Sequence, residues 1–258
     1  MEERWIELEG VRNARTLDGL PCADGRRVRP GLLLRTGKLA GATDADVAAL
    51  SGRWRLRLVI DLRTTMERQQ EPDRSVPGAE RREIPVFDDR VIGVTHEKGR
   101  EKFIQPPPPD MERVYRRMVF DPVCRENLGR STLAVLEHDF SAGSVLWHCS
   151  EGKDRCGLLA MTVLAALGAD RDTIMADYLL TNRFSAPKAQ RTYESMRAEG
   201  EPEERAAGIR RAMRAERSFL EASFAAIDEL CGGLSAYLTE GLGIPADTIR
   251  DFRARMLV

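Results

Sequence analysis

At 258 residues with 42% hydrophobic content, the chain can bury one good core, expected as a single α/β domain over 1–258 with helical additions. Forty basic against forty-one acidic residues give a formal net charge of −1, which argues against a general nucleic-acid or anionic-membrane binder. Five cysteines without the density of a disulfide framework, no apolar run near the roughly 20 residues that span a bilayer, and a start at Met1-Glu2-Glu3-Arg4 without an apolar signal region predict a cytoplasmic protein.

Leu32 to Arg35 reads as a short strand, and Thr43 to Leu50 as a helix capped by Thr43 with Asp46 in its first turn. Leu56 to Leu62 is apolar and β-branched in the middle, so a buried strand is expected there, ending at Asp61-Leu62-Arg63. Glu83 to Val86 is a weaker strand. From Asp88 to Asp110 the pattern is irregular, and Pro106-Pro107-Pro108-Pro109 predicts a stiff extended segment. Helices are expected over Met111 to Phe120 and Pro122 to Phe140, then a strand over Ser144 to His148. The segment from Arg155 to Gly168 is apolar almost all round, which fits a buried helix stopped by glycine. The remainder reads as helical, with breaks near Ser185-Ala186-Pro187, Gly200-Glu201-Pro202 and Gly232-Gly233. Such an order predicts a parallel-rich sheet covered on both faces, with helices over 170–258 packed on it as a cap.

The chemistry concentrates in His148-Cys149-Ser150-Glu151-Gly152-Lys153-Asp154-Arg155-Cys156-Gly157, between a strand and a helix. A loop there can turn its N–H groups inward, and the helix N-terminus adds partial positive charge, so a phosphate dianion fits. Arg155 brings a planar fork that can grip two oxygens at once. The same field favours the thiolate of Cys149; comparable settings lower a cysteine pKa from roughly 8.5 to about 3.5–7.5. Gly152 lets the backbone turn. Ser150, Glu151, Gly152, Lys153, Asp154 and Arg155 are therefore the predicted phosphate-binding stretch, with Cys149 as nucleophile. Lys153 adds charge at the mouth, which favours heavily phosphorylated substrates.

This loop resembles that of the bacterial tyrosine-phosphatase-like family with a His-Cys-x-x-Gly-Lys-Asp-Arg-Thr/Ser-Gly signature. The likeness extends to Asp24 through Leu39, to Val59-Ile60-Asp61-Leu62-Arg63 with Glu67, Pro72 and Asp73, to Asp177 through Asn182 and to Leu234 through Leu238. The resemblance implies a cysteine-phosphatase fold and hydrolysis of phosphate monoesters on phosphoproteins or phosphoinositides through a phosphocysteine, without a metal or other cofactor. It points to Asp154 as the acid for the leaving group, whereas tyrosine phosphatases with a mobile acid loop point to Asp88 or Asp89. Asp61 and Arg63 read either as a structural ion pair or as part of the site's wall. Two residues depart from the signature. Cys156 replaces a hydroxyl that supports the departing sulfur, and it is also placed to act as a redox partner of Cys149. Glu151 puts a negative charge in the loop.

Other readings remain. His148 with Cys149 and Cys156 invites a metal, but paired ligand spacing is missing, so His148 is expected as buried support of the loop. His96 and His138 are expected at the surface. A rhodanese-like sulfurtransferase also uses a cysteine loop over a helix, although Arg155 argues against it. A pseudophosphatase that only binds phosphorylated partners is favoured by Glu151 and Cys156 alone.

Overall fold

The structure is a computed structural model that describes residues 4–87 and 108–258. Its centre is the strand β5 (Ser144–His148), in which every residue is buried. The neighbours of β5 are β2 (Leu33–Thr36) and β3 (Leu56–Asp61), both parallel to it, with Leu34 and Val59 opposite Leu146. β1 (Arg15–Thr16) closes one edge antiparallel to β2, and β4 (Glu80–Glu83) closes the other parallel to β3, giving the order β1-β2-β5-β3-β4.

The two-residue pleat sends alternate side chains to opposite faces. Leu33, Leu58, Ile60, Val145 and Trp147 enter the larger core, while Leu34, Val59 and Leu146 enter the smaller one with Leu39, Leu50 and Val76. Leu56 and Leu58 would share a face in a regular strand. A register irregularity between them sends Leu56 to the smaller core instead. Each fully buried leucine or valine here contributes roughly 1.5–3 kcal/mol.

On the larger face lie α3 (Met111–Phe120), α4 (Pro122–Leu136), α5 (Asp154–Ala166), α6 (Arg171–Leu179) and α9 (Arg217–Cys231). Every residue of α5 after Asp154 is buried, and Gly168, at φ 79°, turns the chain away beyond its end. On the other side lies α1 (Asp44–Ser51); α1 and α2 (Thr65–Gln70) each begin with a reciprocal capping box, Thr43 with Asp46 and Thr64 with Glu67. α7 (Asn182–Ala198) and α8 (Glu203–Met213) form a helical hairpin. The chain then passes through α10 (Leu234–Ala236) and a π-turn at Tyr237–Gly241 to α11 (Ala246–Met256). Ile174, Phe219, Leu238 and Phe252, all beyond residue 170, belong to the same core as Trp147. Among the described residues no helix is long and apolar enough to cross a membrane.

Some elements fall elsewhere than the sequence suggested. The strand expected at Glu83 to Val86 is β4 at Glu80–Glu83, four exposed charged residues on a sheet edge. An edge strand with no buried face carries no alternating pattern, so nothing apolar marked it. α4 stops at Leu136 rather than Phe140, because Asp139 bonds Ser141 in a turn. Pro187 does not break α7. Pro187 and Arg183, whose carbonyl loses its partner, are both exposed, so water can satisfy that oxygen. A break at Arg214-Ala215-Glu216, unmarked by glycine or proline, separates α8 from α9. Of the irregular stretch, Asp88, Asp89 and His96 lie outside the described residues. His138 is half-buried against Phe140 rather than simply at the surface.

Candidate active site

The loop Cys149 to Lys153 leaves the carboxyl end of β5 and enters α5 at Asp154. Gly152 sits at φ 68°, and a Cβ there would lie 2.6 Å from the Thr36 carbonyl oxygen. Conformation and space both demand glycine at that position. Cys149 is 2% exposed, and Arg155 lies beside it at 9%.

The carbonyls of the loop face away from the nucleophile, and each finds a donor. Lys38 N–H donates to Ser150 O at 3.2 Å. Asn13 Nδ2 donates to Glu151 O at 3.1 Å and Gly152 O at 3.0 Å, and Arg35 Nη2 donates to Gly152 O at 3.0 Å. In a trans peptide the N–H points opposite its C=O, so outward carbonyls turn the following N–H groups into the cradle. The asparagine is itself oriented, since Arg15 Nη1 donates to Asn13 Oδ1 at 2.5 Å.

Arg15 and Arg35 stand opposite each other on β1 and β2, an unfavourable pairing of like charges. Asp177 of α6 resolves it. Its carboxylate takes Arg35 at 2.7 Å, Arg4 at 2.9 Å and Arg15 at 3.3 Å, and is fully buried. Burial alone would raise its pKa, but the three guanidinium groups hold it well below the carboxylate range. Burial, with Arg35 beside it, lowers Arg15 to about 10.

Glu67, in the first turn of α2, holds Arg155 from the other side. The pair is bidentate at 2.5 and 2.8 Å, and Glu67 also accepts from the Ser150 hydroxyl. Burial opposes ionisation of Glu67, yet the Arg155 and Ser150 hydrogen bonds win and hold it at about 2. Of the five N–H groups of the Arg155 guanidinium, that on Nε has no acceptor among the described residues, and two more are held only at 3.5 Å, by Leu62 O and Ser150 Oγ, which leaves donors for a ligand. Arg155 Cζ also lies 6.0 Å from the centre of the Phe87 ring.

Cys149 is lowered to about 5. The hydrogen bond from the Cys156 side chain contributes most, burial opposes it, and the charge of Arg155 adds to the lowering. Cys156 is itself pushed far up by burial and by Cys149, so it stays a thiol. Its single proton has a second acceptor within reach, the Thr36 carbonyl at 3.7 Å. Behind the nucleophile, His148 Nδ1 is 3.3 Å from the Cys149 carbonyl and Nε2 is 3.1 Å from Asp73 Oδ2.

Asp61 and Arg63 do form a buried ion pair, at 2.8 Å, and Arg63 also reaches Asp73 at 2.5 Å. Asp61, Asp73 and His148 bring potential metal ligands within 4.8 Å of one another. Arg63 and Arg81 already reach those carboxylates, Arg81 at 2.9 Å from Asp61, so guanidinium groups supply the positive charge a cation would bring.

The remaining loop side chains point to the helical hairpin. Glu151 is exposed and pairs with Lys188 of α7 at 2.7 Å. Lys153 is 4% exposed, and its ammonium donates to the carbonyls of Ala212 at 2.5 Å and Arg214 at 3.1 Å. Asp154 opens α5 with its Oδ1 at 2.7 Å from the Tyr115 hydroxyl. All of Cys149 to Arg155 thus lies in one loop and helical turn, whereas Asp88 and Asp89 fall outside the described residues.

Asn13, Arg15 and Tyr115 were not singled out in the sequence. Asn13 precedes β1 at φ 55°, outside the strand pleat, and no pattern marked it, whereas Thr64-x-x-Glu67 has the form of a capping box that marks where Glu67 sits.

A family model described as "Tyrosine phosphatase family" matches residues 6–258. A candidate tyrosine-protein phosphatase of Cupriavidus necator is 30% identical over 249 residues, covering 95% of this chain and 86% of that one. The triple specificity protein phosphatase PtpB of Mycobacterium tuberculosis is 28% identical over 278 residues, covering 97% and 98%. Among solved structures, the Siw14 catalytic core is similar at a TM-score of 0.37 and 15% identity, covering 71% of this chain and 81% of that one.

Proposed function

From the premise that the chain belongs to the tyrosine phosphatase family, and so hydrolyses phosphorylated substrates, we propose that it works through a phosphocysteine on Cys149. The observation that carries this is a cysteine held at about 5 beside an arginine fixed by a bidentate carboxylate. The thiolate attacks phosphorus in line, and the bond from phosphorus to the leaving oxygen breaks. Arg155 and the loop N–H groups hold the equatorial oxygens as charge builds on them. Asp154 gives its proton to the leaving oxygen. Water then attacks phosphorus, Asp154 takes a proton from it, and the electron pair of the S–P bond returns to sulfur. The Cys156 thiol donates to that sulfur as it departs. A thiol is a weaker donor than a hydroxyl, so this second step is the slow one.

Neither departure from the family signature argues for a binding module. Glu151 is paired with Lys188, and Cys156 keeps a donor on the nucleophile. Phosphotyrosine is the expected substrate. The Mycobacterium relative is named for triple specificity, and we extend that range to this chain, with phosphoserine or phosphothreonine peptides and phosphoinositides as further substrates. All five cysteines are free of disulfides, which suits the cytoplasm.

Cys149→Ser is expected to abolish turnover while leaving vanadate binding largely intact, and Arg155→Ala to weaken both. Aryl phosphate hydrolysis is expected to persist in EDTA. Substantial turnover by Cys149→Ser, or its loss on chelation, contradicts the scheme. A panel of phosphotyrosine and phosphoserine peptides and phosphoinositides reads the substrate range.

A further inference from the structure

Tyr115 and Tyr178 bury two phenolic hydroxyls in an otherwise apolar part of the core, at 0% and 1% exposure. A buried hydroxyl without a partner costs about 1–3 kcal/mol, so each must be satisfied. The hydroxyls lie 2.8 Å apart, and Tyr115 lies 2.7 Å from Asp154 Oδ1. We propose that Tyr115, backed by Tyr178, is the positioning residue that aims Asp154 at the leaving group. The inference rests on Asp154 being the acid in the reading above.

Proton counting gives the direction. A carboxyl about to act as an acid has one oxygen that accepts and one that carries the proton. Tyr115 can only donate to Oδ1 if that oxygen is the acceptor, which leaves the proton on Oδ2. Lys153 Nζ, at 3.4 Å, also approaches Oδ1, and among the described residues Oδ2 has no partner. Burial, with the charge of Asp154 nearby, raises both phenols well above their ordinary value, so they remain donors.

The donor cannot easily move. Tyr115 sits on α3, its ring 5.8 Å from that of Phe219 on α9, and Ser223 of α9 donates to its carbonyl at 3.2 Å. Tyr178 meets it edge-on at 6.1 Å from α6. A Cβ on Gly157 would lie 3.0 Å from Tyr178 Cδ2, so glycine lets the ring pack directly on the first turn of α5. Three helices thus fix the phenol pair against the helix that carries Asp154. A carboxylate whose side chain is 27% exposed acquires one preferred orientation.

The test compares an alkyl phosphate, which needs its leaving oxygen protonated, with 4-nitrophenyl phosphate, which does not. kcat/KM is the readout, because it reports the steps up to formation of the phosphocysteine. Tyr115→Phe is expected to lower kcat/KM about tenfold for the alkyl ester and less than about twofold for the aryl ester. Tyr178→Phe should act in the same direction with a smaller effect, and it serves if Tyr115→Phe does not fold. In an Asp154→Asn background either tyrosine change should add nothing for the alkyl ester. If Asp154→Asn discriminates between the esters but both tyrosine variants slow them equally, or not at all, the positioning role is wrong while the acid stands. If Asp154→Asn itself does not discriminate, the acid assignment fails first.

Discussion

Two buried charge clusters flank the phosphate-binding loop, and their charge balances differ. On the β1 side one carboxylate, Asp177, serves Arg4, Arg15 and Arg35. On the β3 side Asp61 and Asp73 share Arg63, Arg81 and His148. The first cluster has guanidinium N–H groups to spare, and Arg35 uses one on the Gly152 carbonyl. In the second the carboxylates are occupied, and the loop is reached through the His148 ring at the Cys149 carbonyl. The difference separates two jobs. An excess of cation beneath the loop holds its carbonyls outward and adds positive potential where a phosphate sits. A balanced cluster fixes the end of β5 without competing for the anion.

The largest effect comes from breaking the first balance. Asp177→Asn leaves three buried guanidinium groups without a counter-charge, and a loss of about 3–5 kcal/mol is expected in urea unfolding. Asp73→Asn should cost clearly less, because Asp61 still faces Arg63. Equal losses would erase the distinction between the clusters. The same carboxylates fix the sign of the acid response. Glu67 is held at about 2 and Asp177 lower than usual, so their stabilisation is present above the unfolded carboxylate range and is lost as pH falls through the folded values. Unfolding free energy measured from pH 6 downward should therefore decline, and less steeply in Glu67→Gln.

Removing the staple rather than the charge isolates the loop. Asn13→Ala frees the carbonyl of Glu151 and leaves that of Gly152 to Arg35 alone, at about 1 kcal/mol per lost hydrogen bond, and about a tenfold drop in kcat/KM is expected. Inorganic phosphate should inhibit it more weakly, in step with that drop. A drop in activity with unchanged phosphate affinity would mean that Asn13 acts elsewhere.

The pH dependence of the nucleophile sharpens the comparison. With Cys149 at about 5, its alkylation by iodoacetate should fall away only as pH drops through that value. Cys156→Ala, which removes the largest cause of the lowering, should move the midpoint upward towards the ordinary thiol range. No shift in that variant would assign the low value to Arg155 and the loop instead.

The smallest effects belong to Cys156 itself. Cys156→Thr restores a better donor to the departing sulfur, and steady-state turnover is expected to rise a few-fold as a burst of leaving group shrinks. Under peroxide the Cys149 thiolate is expected to be oxidised to a sulfenic acid, and attack by the Cys156 thiol to form a disulfide with release of water. Peptide mapping should find the Cys149–Cys156 linkage. Cys149 overoxidised, or bridged to another cysteine, removes the redox role.

The loop could be read from sequence because its chemistry needs particular residue types in one contiguous stretch, and Cys149 to Gly157 supplies them. Its supports could not. Arg15 and Asp177 are 162 positions apart, and only the packing of α6 against the β1–β2 edge joins them. Tyr115 lies within the helix expected over Met111 to Phe120, and its hydroxyl has meaning only beside Asp154. β4 and the Pro187 turn were obscured by a related cause. Exposed backbone is satisfied by water, so neither a buried pattern nor a helix break was required of the sequence.

The central claim is a covalent phosphoryl group on Cys149. Rapid mixing with an aryl phosphate, acid quench within the burst and peptide mass analysis read it directly. The account predicts a phosphoryl increment on the peptide that contains Cys149, present in the wild type, enriched when water attack is slowed in Asp154→Asn, and absent in Cys149→Ser. A burst of leaving group with no phosphorylated Cys149, or phosphate found on another residue, would contradict it.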